Sequence, residues 1–472
     1  MVKSKIFFYG FLFVTLLVVP RNFFAQAQTL NLNADQQLAH EIFQQLIEIN
    51  TTNSVGDCTA AAKAMAQRLK DAGFPDEDVK VLGPNPRKEN MVVRMHGTGA
   101  RKPILLLAHL DVVEAKREDW SIDPFQFLEK DGFYYGRGTS DDKAMAAIFV
   151  TNLIRFKKEG YKPNRDIILA LTADEEVGDY NGADWLLKNH RDLIESEFGL
   201  NEGGGGAIRQ GRKLYFSVQT SEKVYQSFRF ETKNKGGHSS RPSKDNAIYQ
   251  LAAALQRIAQ FDFPIALNET TRAYFERLSK IETGDTAKAM KGVIQNPPDT
   301  NAVAYLANIP VYNAIMRTTC VATMLEGGHS ENALPQSATA TINCRIAPTE
   351  TPEQIQQTLV RIVNDSGVTI TPIAQATPSA PSPLTPEVMQ PIERIAAEMW
   401  PGVPVLPVMS TGASDSLFLR NAGIPMYGNS GVFGDIDDNR AHGKDERIGI
   451  KEFYDSQEYL YRLVKAYSSP EK

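Results

Sequence analysis

Cysteine is scarce in this chain: 472 residues hold three, Cys58, Cys320 and Cys344. Three cannot all pair, and none has a His or Cys partner at short ligand spacing, which argues against a zinc finger. Cys320 and Cys344 fall in two apolar runs that read as neighbouring strands, so two readings stay open for them, a disulfide or two buried small hydrophobes. There is no basic patch or Arg-rich run, which argues against nucleic acid as a partner. Beyond the first 27 residues no apolar stretch approaches the length that spans a bilayer. No tandem repeat with a period of about 20 to 50 residues is present.

The composition is that of a globular protein, 42% hydrophobic and 23% charged. It is enough material for a large core divided over two or three domains. The first residues read Met-Val-Lys-Ser-Lys, followed by an apolar run at 6–19 and then Ala25-Gln26-Ala27. A basic start, a short apolar run and a small-x-small site predict a signal peptide over 1–27, with cleavage after Ala27 and export to the periplasm or the exterior. Removing that segment, with Lys3, Lys5 and Arg21, takes the formal charge from −5 to −8.

From residue 34 the spacing predicts helices over 34–50 and 58–72. Continuous apolar runs at 91–95 and 104–108 predict buried strands of a largely parallel sheet. A helix over 142–158, a strand over 166–172, a helix near 183–189 and strands at 198–200 and 214–218 continue the alternation, which argues an α/β layer architecture. At Val224 the texture changes. Strands at 224–232, 318–324, 338–346 and 368–372, with helices over 246–259 and 352–364, give the β-α-β-β-α-β order of a ferredoxin-like domain. The stretch 261–312 lies outside that core and reads as an elaboration of the inserted domain. A Pro/Ser/Thr-rich run at 376–385 marks the return to the first domain, which helices at 386–399, 414–422 and 450–467 complete.

Several strand ends carry chemistry-bearing residues. The strand at 104–108 runs into His109-Leu110-Asp111, at the carboxyl end where open α/β sheets bind ligands. The spacing suits a carboxylate that holds a metal-bound imidazole in one tautomer. The strand at 166–172 ends in Ala173-Asp174-Glu175-Glu176-Val177-Gly178, where neighbouring carboxylates can divide the work of ligating a metal and taking a proton from water. A third strand ends in Asn201-Glu202, and far downstream stands His442, within Ala441-His442-Gly443-Lys444-Asp445-Glu446. Between the first two of these strand ends lies Tyr-Gly-Arg-Gly-Thr-Ser-Asp-Asp-Lys at 135–143.

In that order, His-x-Asp, Gly-Arg-Gly-x-x-Asp-Asp-Lys, Glu-Glu-x-Gly, Glu-Gly, Gly-Gly-His-Ser and a late His, the chain resembles the zinc metallopeptidases that include aminoacylase-1, carboxypeptidase G, carnosinase-type dipeptidases and succinyl-diaminopimelate desuccinylase. The likeness runs from about residue 35 to the C-terminus. It implies a di-zinc exopeptidase-like catalytic domain over 28–220 and 377–472, and an inserted ferredoxin-like lid and dimerisation domain over 221–376. It implies Asp141 as a ligand bridging two zinc ions, with His109 and Glu202 on one and Glu176 and His442 on the other. Cobalt or manganese would substitute. Glu175 becomes the general base, Asp111 the partner that orients His109, and His238 the stabiliser of the oxyanion. Arg345, Asn332 and Gly412 become contacts for the substrate's terminal carboxylate, while His329, in a second Gly-Gly-His-Ser, receives no role. Asn201, Ala144 and Ala413-Ser414 depart from the common pattern, and none of these is a ligand.

The expectation is an exported di-zinc hydrolase that cleaves an amide next to a free carboxylate, a carboxypeptidase or dipeptidase; two quaternary readings stay open, a homodimer through the inserted domain or a single chain whose site is completed by the stretch 261–312. The alternative within the same chemistry is an aminoacylase acting on N-acyl amino acids. The alternative from another class is a non-catalytic peptide receptor, which predicts loss of a ligand or of the base; the sequence retains all six.

Overall fold

The computed structural model describes residues 31–469; the signal-peptide expectation over 1–27 lies outside them. The larger unit is built on a ten-stranded mixed sheet. Its centre is parallel: Ile104–His109 lies between Ile167–Thr172 and Phe198–Asn201, and Phe198–Asn201 is parallel to Met426–Gly428. All six residues of Ile104–His109 and of Ile167–Thr172 are buried, as befits strands covered by helices on both faces. The flanks turn antiparallel, with Asn90–Met95 against Ile167–Thr172 and Gly205–Arg209 against Arg212–Glu222. Helices Ala34–Glu48, Lys143–Lys158 and Ile450–Ser468 cover one face through Phe43, Phe149, Phe453 and Leu460. On the other face Leu186 and Leu419 pack against Leu105, Leu107 and Ile168.

The smaller unit is a four-stranded antiparallel sheet in the order Thr319–Gly327, Ser337–Ile346, Val224–Lys233, Val368–Pro372. In chain order that is second, third, first, fourth, the ferredoxin-like arrangement expected from the element order. Helices Ala247–Ala259 and Pro352–Val363 cover one face, burying Leu251, Leu359 and Phe228. Cys320 and Cys344 sit directly opposite each other on adjacent strands and are joined by a disulfide. Cys58 is free and buried.

The stretch 261–312 corrects the sequence reading. Its helices Glu269–Leu278, Gly284–Val293, Thr300–Ala307 and Pro310–Met316 bury Phe275, Met290, Leu306 and Met316 in a cluster completed by Leu406 of Val405–Ser410. Arg277 Nη1 also donates to the carbonyl of Val405 at 3.0 Å and pairs with Glu393 at 2.7 Å. The segment is therefore joined to the edge of the large sheet, and it is not an elaboration of the small one. Among the described residues no helix is long and apolar enough to cross a membrane.

Candidate active site

The parallel strands end side by side, and their carboxyl ends deliver His109 directly, Glu175 and Glu176 three and four residues past Thr172, and Glu202 one residue past Asn201. Asp141 arrives from the loop that leads into Lys143–Lys158, with Asp142 at that helix's N-cap and a cis peptide between the two aspartates. The fixed end of this loop is Lys143, whose buried ammonium donates to the carbonyls of Leu46 and Ile49 at 2.9 and 2.8 Å. Burial pushes that ammonium down to about 7.

Asp141 joins the two imidazoles. Its Oδ1 lies 2.9 Å from His109 Nε2 and its Oδ2 lies 3.1 Å from His442 Nε2. His442 Nε2 is also 2.8 Å from Glu176 Oε1. The ligand oxygens and nitrogens of His109, Asp141 and Glu176, and likewise those of His109, Glu175 and Glu202, lie within 4.8 Å of one another. Asp111 faces His109 Nδ1 with both its backbone carbonyl, at 3.0 Å, and its carboxylate, at 3.6 Å. The carboxylate accepts the amides of Glu175 and Glu176 at 3.1 and 2.9 Å, and so holds the turn that carries both. That turn also needs Gly178: at φ +146° a Cβ there would strike the Asp174 carboxylate, and that carboxylate is held by Lys88 in a buried ion pair.

The charge balance marks the cluster as a cation site. Burial, with Asp415, Glu176 and Asp111 nearby, pushes Glu175 up to about 9 despite His109. Burial and the neighbouring Asp141 push Glu202 well up, and burial does the same to Asp142, one of whose carboxylate oxygens has no hydrogen-bond partner. Asp141 moves the other way, because the bonds to His109 and His442 overcome its burial. His442 is pushed up to about 10 by Asp141 and Glu176. Carboxylates this crowded and this dry are stabilised as anions by divalent cations, and a set of imidazoles and carboxylates suits zinc-like ions.

The remaining expected residues form two groups apart from this cluster. Arg345 Nη1 donates to the carbonyl of Thr411 at 3.4 Å, and its guanidinium lies 4.6 Å from the Tyr225 ring centroid. The next residue, Gly412, donates its amide to Ser410 Oγ at 3.0 Å. His238 and Asn332 meet on an exposed two-stranded ribbon, Gly237–His238 against Ala333–Leu334, where the Ser239 amide donates to the Asn332 carbonyl. His238 Nδ1 is 2.8 Å from Ser240 Oγ, and among the described residues no hydrogen bond joins His238 to the carboxylate cluster. His329 is exposed.

Two carboxylates escape the sequence reading. Asp415 is buried and accepts from Thr172 Oγ1 at 3.0 Å and Asn181 Nδ2 at 2.5 Å. Glu446 is fully buried against the 137–141 loop. Each stands in a stretch singled out by its motif, beside Gly412 and beside His442, but no spacing rule distinguishes them from solvated acids.

The family model for peptidase family M20/M25/M40 matches residues 105–466. The chain belongs to this family. It is 31% identical over 372 residues to the N-fatty-acyl-amino acid synthase/hydrolase PM20D1 of Xenopus tropicalis, covering 77% of this chain and 71% of that protein. It is 30% identical over 378 residues to the probable carboxypeptidase S-like 2 of Dictyostelium discoideum, with 77% and 71% covered. Among solved structures, the M20 family metallo-carboxypeptidase Sso-CP2 of Sulfolobus solfataricus superposes with a TM-score of 0.67 at 18% identity, over 91% of this chain and 99% of that one, which shows the shared fold. As an M20 member the chain is a metal-dependent hydrolase, and one solved M20 structure, the YXEP protein of Bacillus subtilis, is a dinuclear metal-binding peptidase.

Proposed function

We propose that this M20 hydrolase holds two zinc ions, one by His109 and Glu202 and the other by Glu176 and His442, with Asp141 between them, and cleaves an amide next to a free carboxylate. The observation that carries the reading is the division of Asp141, Oδ1 toward His109 and Oδ2 toward His442. Two divalent ions bound there would supply Lewis-acid polarisation of the scissile carbonyl and acidification of the attacking water; cobalt or manganese would serve in their place.

The chain's own residues do the rest. Glu175, presented by the hydrogen bond its backbone amide donates to Asp111, takes the proton from water and returns it to the leaving amine. Asp111 keeps His109 and the 175–176 turn in register. The guanidinium of Arg345 suits a carboxylate fork, and with Asn332 and Gly412 it receives the substrate's terminus. His238 donates to the oxyanion, a role that requires the small unit to act as a lid that closes on the cleft, or a second copy to supply the ribbon. A homodimer is supported by the edge strand Thr319–Gly327, which exposes Val321, Met324 and Leu325 beside unpaired backbone groups. Sedimentation analysis tests it. Export after cleavage near Ala27 completes the proposal, and N-terminal sequencing of the mature protein tests that.

The acyl side has two readings. Carboxypeptidase-like relatives support a peptide substrate. The N-fatty-acyl-amino acid synthase/hydrolases, at up to 31% identity, favour the second, an N-acyl amino acid. Zinc-loaded protein offered dipeptides, longer peptides, N-acetyl and N-fatty-acyl amino acids separates them by relative kcat/KM. Tight peptide binding with no turnover would favour a receptor instead.

A further inference from the structure

We infer that Glu446 is the positioning residue that locks the bridging aspartate and the second imidazole into one metal-binding unit. The inference rests on the two-ion reading of Asp141. Glu446 lies four residues past His442 and is fully buried, and among the described residues no hydrogen bond or ion pair joins its carboxylate to a proposed ligand side chain. Its Oε2 accepts Arg137 Nη1 at 2.7 Å and the Gly138 amide at 3.0 Å. Its Oε1 accepts the Ser140 amide at 2.7 Å, Ser140 Oγ at 2.9 Å and the Asp141 amide at 3.2 Å. Five donors therefore converge on one carboxylate, filling the roughly four lone-pair sites it offers, and every donor belongs to residues 137–141.

The last of those donors is the peptide nitrogen of Asp141 itself, so the carboxylate of Glu446 sets the backbone from which the bridge projects. The same pair of segments is cross-tied twice more, by Arg137 Nη2 to the Gly443 carbonyl at 2.9 Å and by the Gly136 amide to the Glu446 carbonyl at 3.1 Å. The segments stand 301 residues apart in the chain at the Asp141 and His442 pair. Glu446 thus fixes where Asp141 Oδ2 and His442 Nε2 meet. Glutamine cannot replace it. Its single carbonyl oxygen would serve one side of the fan, while its amide N–H groups would point at donors on the other.

The test uses the full chain, stripped of metal and titrated with zinc against a chromophoric chelator, with near-UV circular dichroism recorded on each variant first. Glu446→Gln is expected to keep the native spectrum and lose about 10- to 100-fold in affinity for at least one ion. Ser140→Ala, which removes only the side-chain donor, should weaken it about fivefold. Wild-type affinity for both ions in folded Glu446→Gln would overturn the inference; if that variant does not fold, wild-type affinity in Ser140→Ala overturns it. Asp141→Asn separates this from the reading beneath it: loss of metal there with normal binding in Glu446→Gln sinks only the positioning role, whereas two ions held with wild-type affinity in Asp141→Asn sinks the bridging role of Asp141 on which the inference rests.

Discussion

Glu175→Gln separates the chemistry of the site from its architecture. Burial is the main reason the Glu175 carboxyl is pushed up to about 9, so in the metal-free protein at pH 7 its neutral form predominates. Glutamine has the volume and neutrality of the form that predominates. The Asp111 contact runs through the residue-175 amide, which the substitution keeps. The metal-free variant should therefore melt within about 2 °C of wild type, the shift expected of a change worth under about 0.5 kcal/mol. Turnover is a different matter, because a base that works with two ions beside it must be ionised and must accept a proton. Losing it costs about 10²- to 10⁴-fold in kcat, or about 2.7 to 5.4 kcal/mol of barrier. The assay is steady-state kinetics on protein whose content of two metals is verified by elemental analysis, alongside thermal melts. Near-normal kcat in the two-metal variant would remove Glu175 as the base. A large loss of stability or metal would make it a structural residue instead.

Metal loading should release protons at pH 7, because His442 and Glu175, pushed up to about 10 and about 9, must both give them up to bind or serve an ion. The sign follows: affinity rises with pH from 7 toward 9, and calorimetry in two buffers of different ionisation enthalpy should give different heats; identical heats would contradict it. Replacing Cys320 and Cys344 by alanine opens a loop with a sequence separation of 24, which on chain-entropy grounds costs about 3.5 kcal/mol. That loss should appear in denaturant melts of the small domain with metal content unchanged. Arg345→Met should raise KM for substrates with a free carboxylate about tenfold or more, with kcat less affected; an unchanged KM would remove Arg345 from the substrate site.

The parts of the site that are legible in the sequence are those set by strand periodicity. Runs such as 104–108 and 166–172 are apolar throughout because helices cover both faces, so the pattern of residues alone locates their ends, and hence His109 and the 174–176 acids. Antiparallel flanking strands are not legible, since a buried antiparallel strand reads like a parallel one. Val405–Ser410 escapes because Pro407 interrupts it, which an edge strand paired on one side tolerates. The helices of 261–312 announce that they bury a face, but amphipathicity does not say which surface receives it; Leu406 decides that. The disulfide requires a register, Cys320 opposite Cys344, that spacing alone does not fix. Glu446 stays hidden because its role lies in five donors from a loop some 300 residues away.

The chemistry proposed for the cluster around Asp141 is metal-dependent hydrolysis of an amide beside a free carboxylate. The direct measurement compares an N-acyl amino acid and a dipeptide with their carboxamide counterparts, using purified protein before chelation, after chelation and after zinc is restored. Turnover of the free acids is expected, abolished by chelator and restored by zinc, with the carboxamides cleaved far more slowly. Turnover that survives complete metal removal, or equal rates for acids and carboxamides, would contradict that chemistry.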